Sequence, residues 1–377
     1  MKNVIYIFLM LLFVSCVEEF SPKGIDEASN LLIVDGIISE GETTIKLTRS
    51  VGLNDNTSNV KLVMNAQMRI ECTDGTTFPF ALNSNYGDYT AFIDELKAGQ
   101  KYRLIINLDG LEYQSDYMEP METTEIDEIY VQKDDAEDVS VRVSTHGSEE
   151  NSKYYRWTYN EIWEIQSRIK ALGGIVADTL AMYDQVNGPI NPGLYCWVYN
   201  ESKGYSVATS ESLSENRIIG KKIMETNEND ERFSMLYYIE VKQNSLRKAA
   251  YDYIVNLEKN IEEMGSIFGP MPSEMKGNIT CVTNPDNPVI GYVDVSTTTS
   301  KTFFYSYPND VYIEGYIDGS LVCKIEEGYP DGSYGIVSFL PDPPPIQYTI
   351  APLKCMDCRH NGGGTKAKPP FWPNDHQ

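Results

Sequence analysis

The chain has 377 residues, of which 41% are apolar and 23% charged; it carries a formal net charge of −24 and 26 tyrosines. Such a length supports two or three domains with a sizeable core, and the composition is that of a strand-rich globular protein rather than a disordered one. Negative charge spread along the whole chain repels phosphate backbones and anionic headgroups, which sets nucleic-acid binding aside.

Met1-Lys2-Asn3 is a short positive start, and Val4 to Val14 is an apolar core. Its length is that of a secretory signal rather than a membrane span. The junction Phe13-Val14-Ser15-Cys16 resembles a lipobox, the site at which bacteria attach lipid to a cysteine. On that reading residues 1–15 are a signal peptide, Cys16 is the lipidated first mature residue, and 16–29 form a spacer. Each buried methylene adds about 0.8 kcal/mol, so several acyl chains hold the protein stably to a membrane. Glu18 and Glu19 resemble the export signal that carries lipoproteins of the Bacteroidota phylum to the outer face of the outer membrane. The expected location is therefore the outer membrane, lipid-anchored and facing the cell exterior. The plainer alternative is a soluble secreted protein with a chance cysteine at the junction.

From Leu31 the stretches "LLIVDGII", "TTIKLTRSV", "AQMRIEC", "YTAFI" and "KYRLIINLDGLEYQS" are short β-branched and aromatic runs broken by turn residues. This spacing predicts a β-sandwich. Asp109-Gly110 is a hairpin signal between two of the runs. The order "GDYTAF" then "LKAGQKYRLII" also resembles immunoglobulin-like and carboxypeptidase-regulatory-like sandwiches. The first domain is placed at 30–122 and a larger β-rich domain at 123–377, so the expected fold class is mainly β with one long helix.

In the second domain "TEIDEIYVQ", "VSVRVST" and "KYYRWTYNEIWEIQ" read as strands. In the last, Tyr155, Trp157, Tyr159, Glu161 and Trp163 share one face, and Arg156, Thr158, Asn160 and Glu164 lie on the other. An aromatic face of Trp157, Tyr159 and Trp163 would serve either as a ligand platform for carbohydrate or peptide, or as a core-facing stripe; the core is the favoured reading, because strands normally bury their aromatic side. "NSLRKAAYDYIVNLEKNIEEMG" has apolar residues every three or four positions, predicting an amphipathic helix near 244–264. Strands return at "PVIGYVDVSTTTSKTFFY", while the prolines of "PDPPPIQY" argue against a central strand there.

Of seven cysteines, Cys16 is assigned to lipid. The other six are free to form disulfides in an exported chain. Cys355-x-x-Cys358, with His360 beside it, reads as a structural staple: either a small Cys355–Cys358 loop or separate bridges to Cys196 and Cys281. Isolated Cys72 is read with equal weight as a small buried apolar residue. A zinc site would need more ligands than three histidines and one close cysteine pair supply, and a redox pair would need a strand-to-helix junction. Gly362 to Gly364 is a flexible turn, since nothing around it matches a phosphate loop. "TNENDERF" lacks the glycine and closing glutamate of an EF-hand. No nucleophile elbow or His-Glu-x-x-His occurs, so no catalytic residue, metal site or cofactor is expected.

Taken together, the lipobox cysteine, "LLIVDGIIS", "YYRWTYNEIWE", "GNITCVTNP" before "VIGYVDVS", and the closing "CMDCRHNGGGTKAKPPFW" resemble the Bacteroidota lipoprotein family called domain of unknown function 4249. The resemblance implies an outer-membrane lipoprotein often encoded beside a TonB-dependent-receptor-like barrel, so the expected role is a non-catalytic accessory or binding partner of such a barrel, in nutrient capture or uptake or in assembly of the barrel complex. It brings no reaction with it. The alternatives are a surface hydrolase of glycans or peptides and a structural or adhesive surface protein.

Overall fold

The computed structural model describes residues 30–50, 61–83, 87–134, 138–176, 179–182, 193–227, 230–263, 277–306, 323–340, 347–360 and 363–373. Cys16, Glu18 and Glu19 lie outside them. The chain is mainly β, and it divides into two compact units: one of 1–120 with 252–295, the other of 121–251 with 296–377.

In the first unit, strand Leu32–Ile38 buries Leu32, Val34 and Ile38 and turns Asp35 outward. It pairs antiparallel with Gly41–Arg49, which in turn pairs with Asp88–Ile93. A second sheet joins Gln67–Cys72 to Tyr102–Leu108 and Tyr102–Leu108 to Leu111–Ser115. The two sheets share one core: Val34, Ile45, Leu47 and Ile93 from the first meet Ile70, Leu104, Ile106 and Tyr113 from the second. Alternating side chains face that core, as a sandwich-like pair requires. Asp109 and Gly110 have φ of 53° and 80° between the paired residues Leu108 and Leu111. Positive φ at both central positions is the two-residue turn whose twist matches the flanking strands.

The first unit also takes the later segment Asp252–Val295, which corrects a single division at 122/123. Ile279–Cys281 pairs antiparallel with Leu111–Ser115, while Val289–Gly291 and Asp294–Val295 run parallel to Leu32–Ile38. These strands satisfy edge N–H and C=O groups that the earlier segment alone would leave open. Cys281 is buried with a free thiol, as is Cys72. Cys281 therefore takes no part in a bridge to the closing cysteines, and Cys72 has the core role.

In the second unit, Ile126–Lys133, Asp138–His146 and Arg217–Asn227 form a three-stranded antiparallel sheet. A larger sheet runs Tyr195–Glu201, Tyr154–Gln166, Leu236–Ser245, Thr298–Ser306. Val141, Val143 and Ile223 of the smaller sheet pack with Tyr155, Trp157, Tyr237, Ile239 and Val241 of the larger. Trp157 is 1% and Trp163 6% exposed, and half-buried Tyr159 packs against the same cluster. The aromatic stripe is thus core, and the platform reading of Trp157, Tyr159 and Trp163 is corrected. Burying such rings removes the most apolar area the strand has, and the Trp157 indole N–H still finds Gln243 Oε1 at 2.7 Å.

The helix spans Lys248–Glu263 and is shorter than the range expected, because Asn244 and Ser245 still pair with Arg156 and Tyr155. Among its described side chains Ala250 and Ile254 are buried. A third sheet places Gln347–Pro352 between Tyr334–Leu340 and Glu326–Gly328. The stretch beginning at Gln347 is therefore a central strand after all. It has N–H groups to donate until Pro352, and the prolines that argued against pairing precede it.

Candidate functional site

The two faces of the larger sheet in the second unit carry different chemistry. On the core side Glu161 accepts from Tyr237 (2.7 Å) and from Asn200 Nδ2 (2.7 Å). Arg232 Nε lies 3.2 Å from the same carboxylate and its NH1 2.9 Å from Asp230. The guanidinium also sits over the Trp163 ring, 5.2 Å from its centroid. Burial and the Glu161 charge push the Tyr237 phenol well above its ordinary range. Burial works against the Arg232 charge, and Glu161 and Asp230 outweigh it, leaving the guanidinium held above its usual value. Burial raises the neighbouring Glu231 carboxyl, an effect the Trp163 N–H at 3.3 Å offsets in part. The charged groups and hydroxyls of this set face one another, Arg232 Nε meeting Glu161 as an ion pair without hydrogen-bond geometry, so the arrangement ties the strands together. "TNENDERF" accordingly ends in a short 3₁₀ turn, Glu231–Phe233, capped by Asp230.

The C-terminal segment is fastened at the edge strand Tyr195–Glu201: Cys196 and Cys358 pack into the core side, and the chain beyond them passes to the opposite face. Cys196 bonds to Cys358, and Cys323 bonds to Cys355. The Cys355-x-x-Cys358 pair therefore closes no small loop: Cys355 ends near the close of the helical turn Leu353–Met356, while extended Asp357 carries Cys358 on to a different partner. Bridging leaves neither sulfur as a thiolate for zinc, and among the described residues no group of three or more His, Cys, Asp and Glu is placed to hold a metal. Burial pushes the Asp357 carboxyl up, but the Arg359 side chain and N–H outweigh it and hold it low.

Beyond Cys358 the chain forms a strap. Thr365 exchanges both backbone hydrogen bonds with Trp197, at 2.8 and 2.9 Å. Tyr199 donates to the Ala367 carbonyl at 2.6 Å. Gly364 lies where a Cβ would come within 2.8 Å of both the Cys196 Cβ and the Cys358 carbonyl oxygen, so the third glycine of the run is required by close packing on the disulfide. Trp372 closes the strap, packed on Ile162 and Trp197 with its N–H 3.4 Å from Glu164 Oε2.

The strap leaves an aromatic surface beside it. Phe371 stands 4.7 Å from the Tyr238 ring, and Tyr238 stands 4.9 Å from Phe304. Phe371 is 51% and Phe304 39% exposed. Cross-strand pairing puts Tyr199, Ile162, Tyr238 and Phe304 in one row, and Glu201, Asn160, Glu240 and Thr302 in the next. The strand alternation marked Asn160 as lying on the outer side; nothing local marked Phe304 or Phe371, because their exposure depends on where the strap crosses.

A separate open cleft of about 770 Å³ in the second unit is lined by Glu122, Lys153, Tyr154, Glu211, Arg247 and Lys248 among others. Lys248 is 2.8 Å from Glu211 and lies over the Tyr154 ring. Hydrogen bonds from Lys248 and Tyr154 hold the Glu211 carboxyl low, which keeps it ionised near neutral pH.

No curated protein matches the chain. The family described as domain of unknown function (DUF4249) matches residues 17–302, most of its length. Matched over that span, the chain belongs to the family described as domain of unknown function (DUF4249).

Proposed function

We propose that the protein is a surface-exposed outer-membrane lipoprotein of the Bacteroidota type, anchored through Cys16 and exported through Glu18 and Glu19. It acts as a non-catalytic accessory of a TonB-dependent-receptor-like barrel, in nutrient capture or uptake or in assembly of the barrel complex, with the first unit an immunoglobulin-like sandwich. The observation that carries this reading is the contrast between the two faces of the larger sheet. The buried carboxylate Glu161 is tied into an internal network, while the accessible side offers aromatic rings held by a disulfide-fastened strap. Binding surfaces use rigid aromatic anchors in this way, and two disulfides suit an oxidising, exported location.

The test is gentle solubilisation of the outer membrane, capture through a tag after Gln377, and mass spectrometry of what accompanies the protein in stoichiometric amount. Recovery of a TonB-dependent-receptor-like barrel is the expected result. Recovery of the protein alone overturns the accessory role.

A further inference from the structure

The outer face of the larger sheet is neither a plain polar surface nor a plain apolar one. Its aromatic row borders the row Glu201–Asn160–Glu240–Thr302, and the row after that pairs Thr158, Lys242 and Ser300. Asn160, Thr302, Lys242 and Ser300 are exposed, and Glu240 is half-exposed. Strands lie about 4.8 Å apart, and residues two apart on one strand lie about 6.7 Å apart. A sugar unit stacked on Phe304 therefore has Thr302 one row along the same strand and Glu240 one strand over, while Asn160, two strands across, falls within the span of a further unit of an oligosaccharide.

The chemistry of these rows selects the occupant. An apolar partner would cover Asn160, Glu240 and Thr302 without hydrogen bonds and lose their hydration. An anionic partner would meet Glu201 and Glu240 on a chain of net charge −24. A neutral molecule with one apolar face and many hydroxyls meets neither penalty. Its hydroxyls donate to the carboxylate and accept from amide, hydroxyl and ammonium. We propose that this face is a carbohydrate-binding site for a neutral pyranose oligosaccharide. The sugar's apolar face lies on Phe304, Phe371 and Tyr238, and its hydroxyls meet Asn160, Glu240 and Thr302. The strap is part of the site, because Cys196–Cys358 fixes the segment that delivers Phe371. The proposal deepens the capture role and rests on it for purpose, but binding itself requires no barrel.

The experiment titrates the full-length lipoprotein, purified in mild detergent, with hexa- to heptasaccharides of neutral glucan, mannan, xylan and galactan. Polygalacturonate and poly-lysine serve as charged comparisons. Intrinsic fluorescence reports the event, since the Trp372 ring lies 5.8 Å from Phe304 and packs on Trp197. Binding of a neutral oligosaccharide is expected, weakened about tenfold by Phe371→Ala and by Asn160→Ala, the scale set by losing one stacking or polar contact. Phe92→Ala, an exposed ring on the other unit, should leave the affinity unchanged. Asn160→Ala guards against misfolding, because that side chain is exposed. Absence of neutral-sugar binding overturns the proposal, as does binding by both site variants as tight as that of the parent. Binding of poly-lysine alone also overturns it, in favour of a basic protein partner. A failed titration with the barrel recovered in the capture experiment removes the sugar site and leaves the accessory role standing.

Discussion

Tyr237 donates to one oxygen of the Glu161 carboxylate at 2.7 Å, while Arg232 reaches the other oxygen at 3.2 Å. The carboxylate is buried, so its charge is tolerable only while these partners stay in place. Removing one partner of a buried pair strands the other, at about 3–5 kcal/mol in fully buried cases. The Arg232 side chain is 23% exposed, so Arg232→Ala should cost about 3 kcal/mol, toward the lower end of that range. Tyr237→Phe should cost about 1–2 kcal/mol, the loss of a hydrogen bond to a charged acceptor. Urea denaturation of the three proteins checks both values. An Arg232→Ala midpoint equal to that of the parent would mean the network contributes nothing.

The two disulfides should differ in their effect. Cys196–Cys358 spans 162 residues and Cys323–Cys355 spans 32. In the chain-entropy account the longer loop stabilises more, about 5 kcal/mol against about 3.5. Cys196→Ser is therefore expected to lower the melting temperature further than Cys323→Ser, and to expose the strap to limited proteolysis near Lys366 and Lys368. Gly364→Ala should loosen the same segment with both bridges intact. Indistinguishable melting curves for the two serine variants would contradict this ordering.

Stability should fall in mild acid. The Glu71 carboxylate accepts from the Tyr117 hydroxyl at 2.5 Å and from Arg103 at 2.8 Å; these bonds outweigh burial and hold its pKa below the ordinary value. Asp357 is depressed likewise through Arg359. For groups lowered in the folded state, the unfolded chain takes up protons first as pH falls. The stabilisation is thus complete above about pH 5 and is lost as pH drops through the carboxylate range near 4. Urea midpoints measured from pH 7 to 3.5 should decline over that window, with a shallower decline in Tyr117→Phe. An identical slope in the variant would remove Glu71 as a contributor.

Location is tested by the N-terminal residues. Cys16→Ala should move the protein from the membrane fraction to the soluble fraction, and its retention in the membrane would refute lipidation. Glu18→Ala with Glu19→Ala should leave the protein anchored and protected from protease added to intact cells. Digestion of that variant would show that the acidic pair is not the export signal.

Residue pattern alone is enough for whatever depends on near neighbours. Strand runs such as Leu32–Ile38 and Tyr154–Gln166 follow from alternation, and the Asp109-Gly110 turn follows from the rarity of residues that accept positive φ. Tertiary structure decided everything that rests on distant pairing. Asp252–Val295 returns to the first unit because strand edges there need partners. Cys355 finds Cys323 rather than Cys281, because Cys281 is held in the strand opposite Tyr113. The residues of the outer face, Phe304 and Phe371 above all, became a site only when a strap anchored at Cys196 crossed one half of a sheet and left the other half open. Side-chain alternation tells which residues share a face, but which face stays uncovered is set by the path of chain more than a hundred residues away.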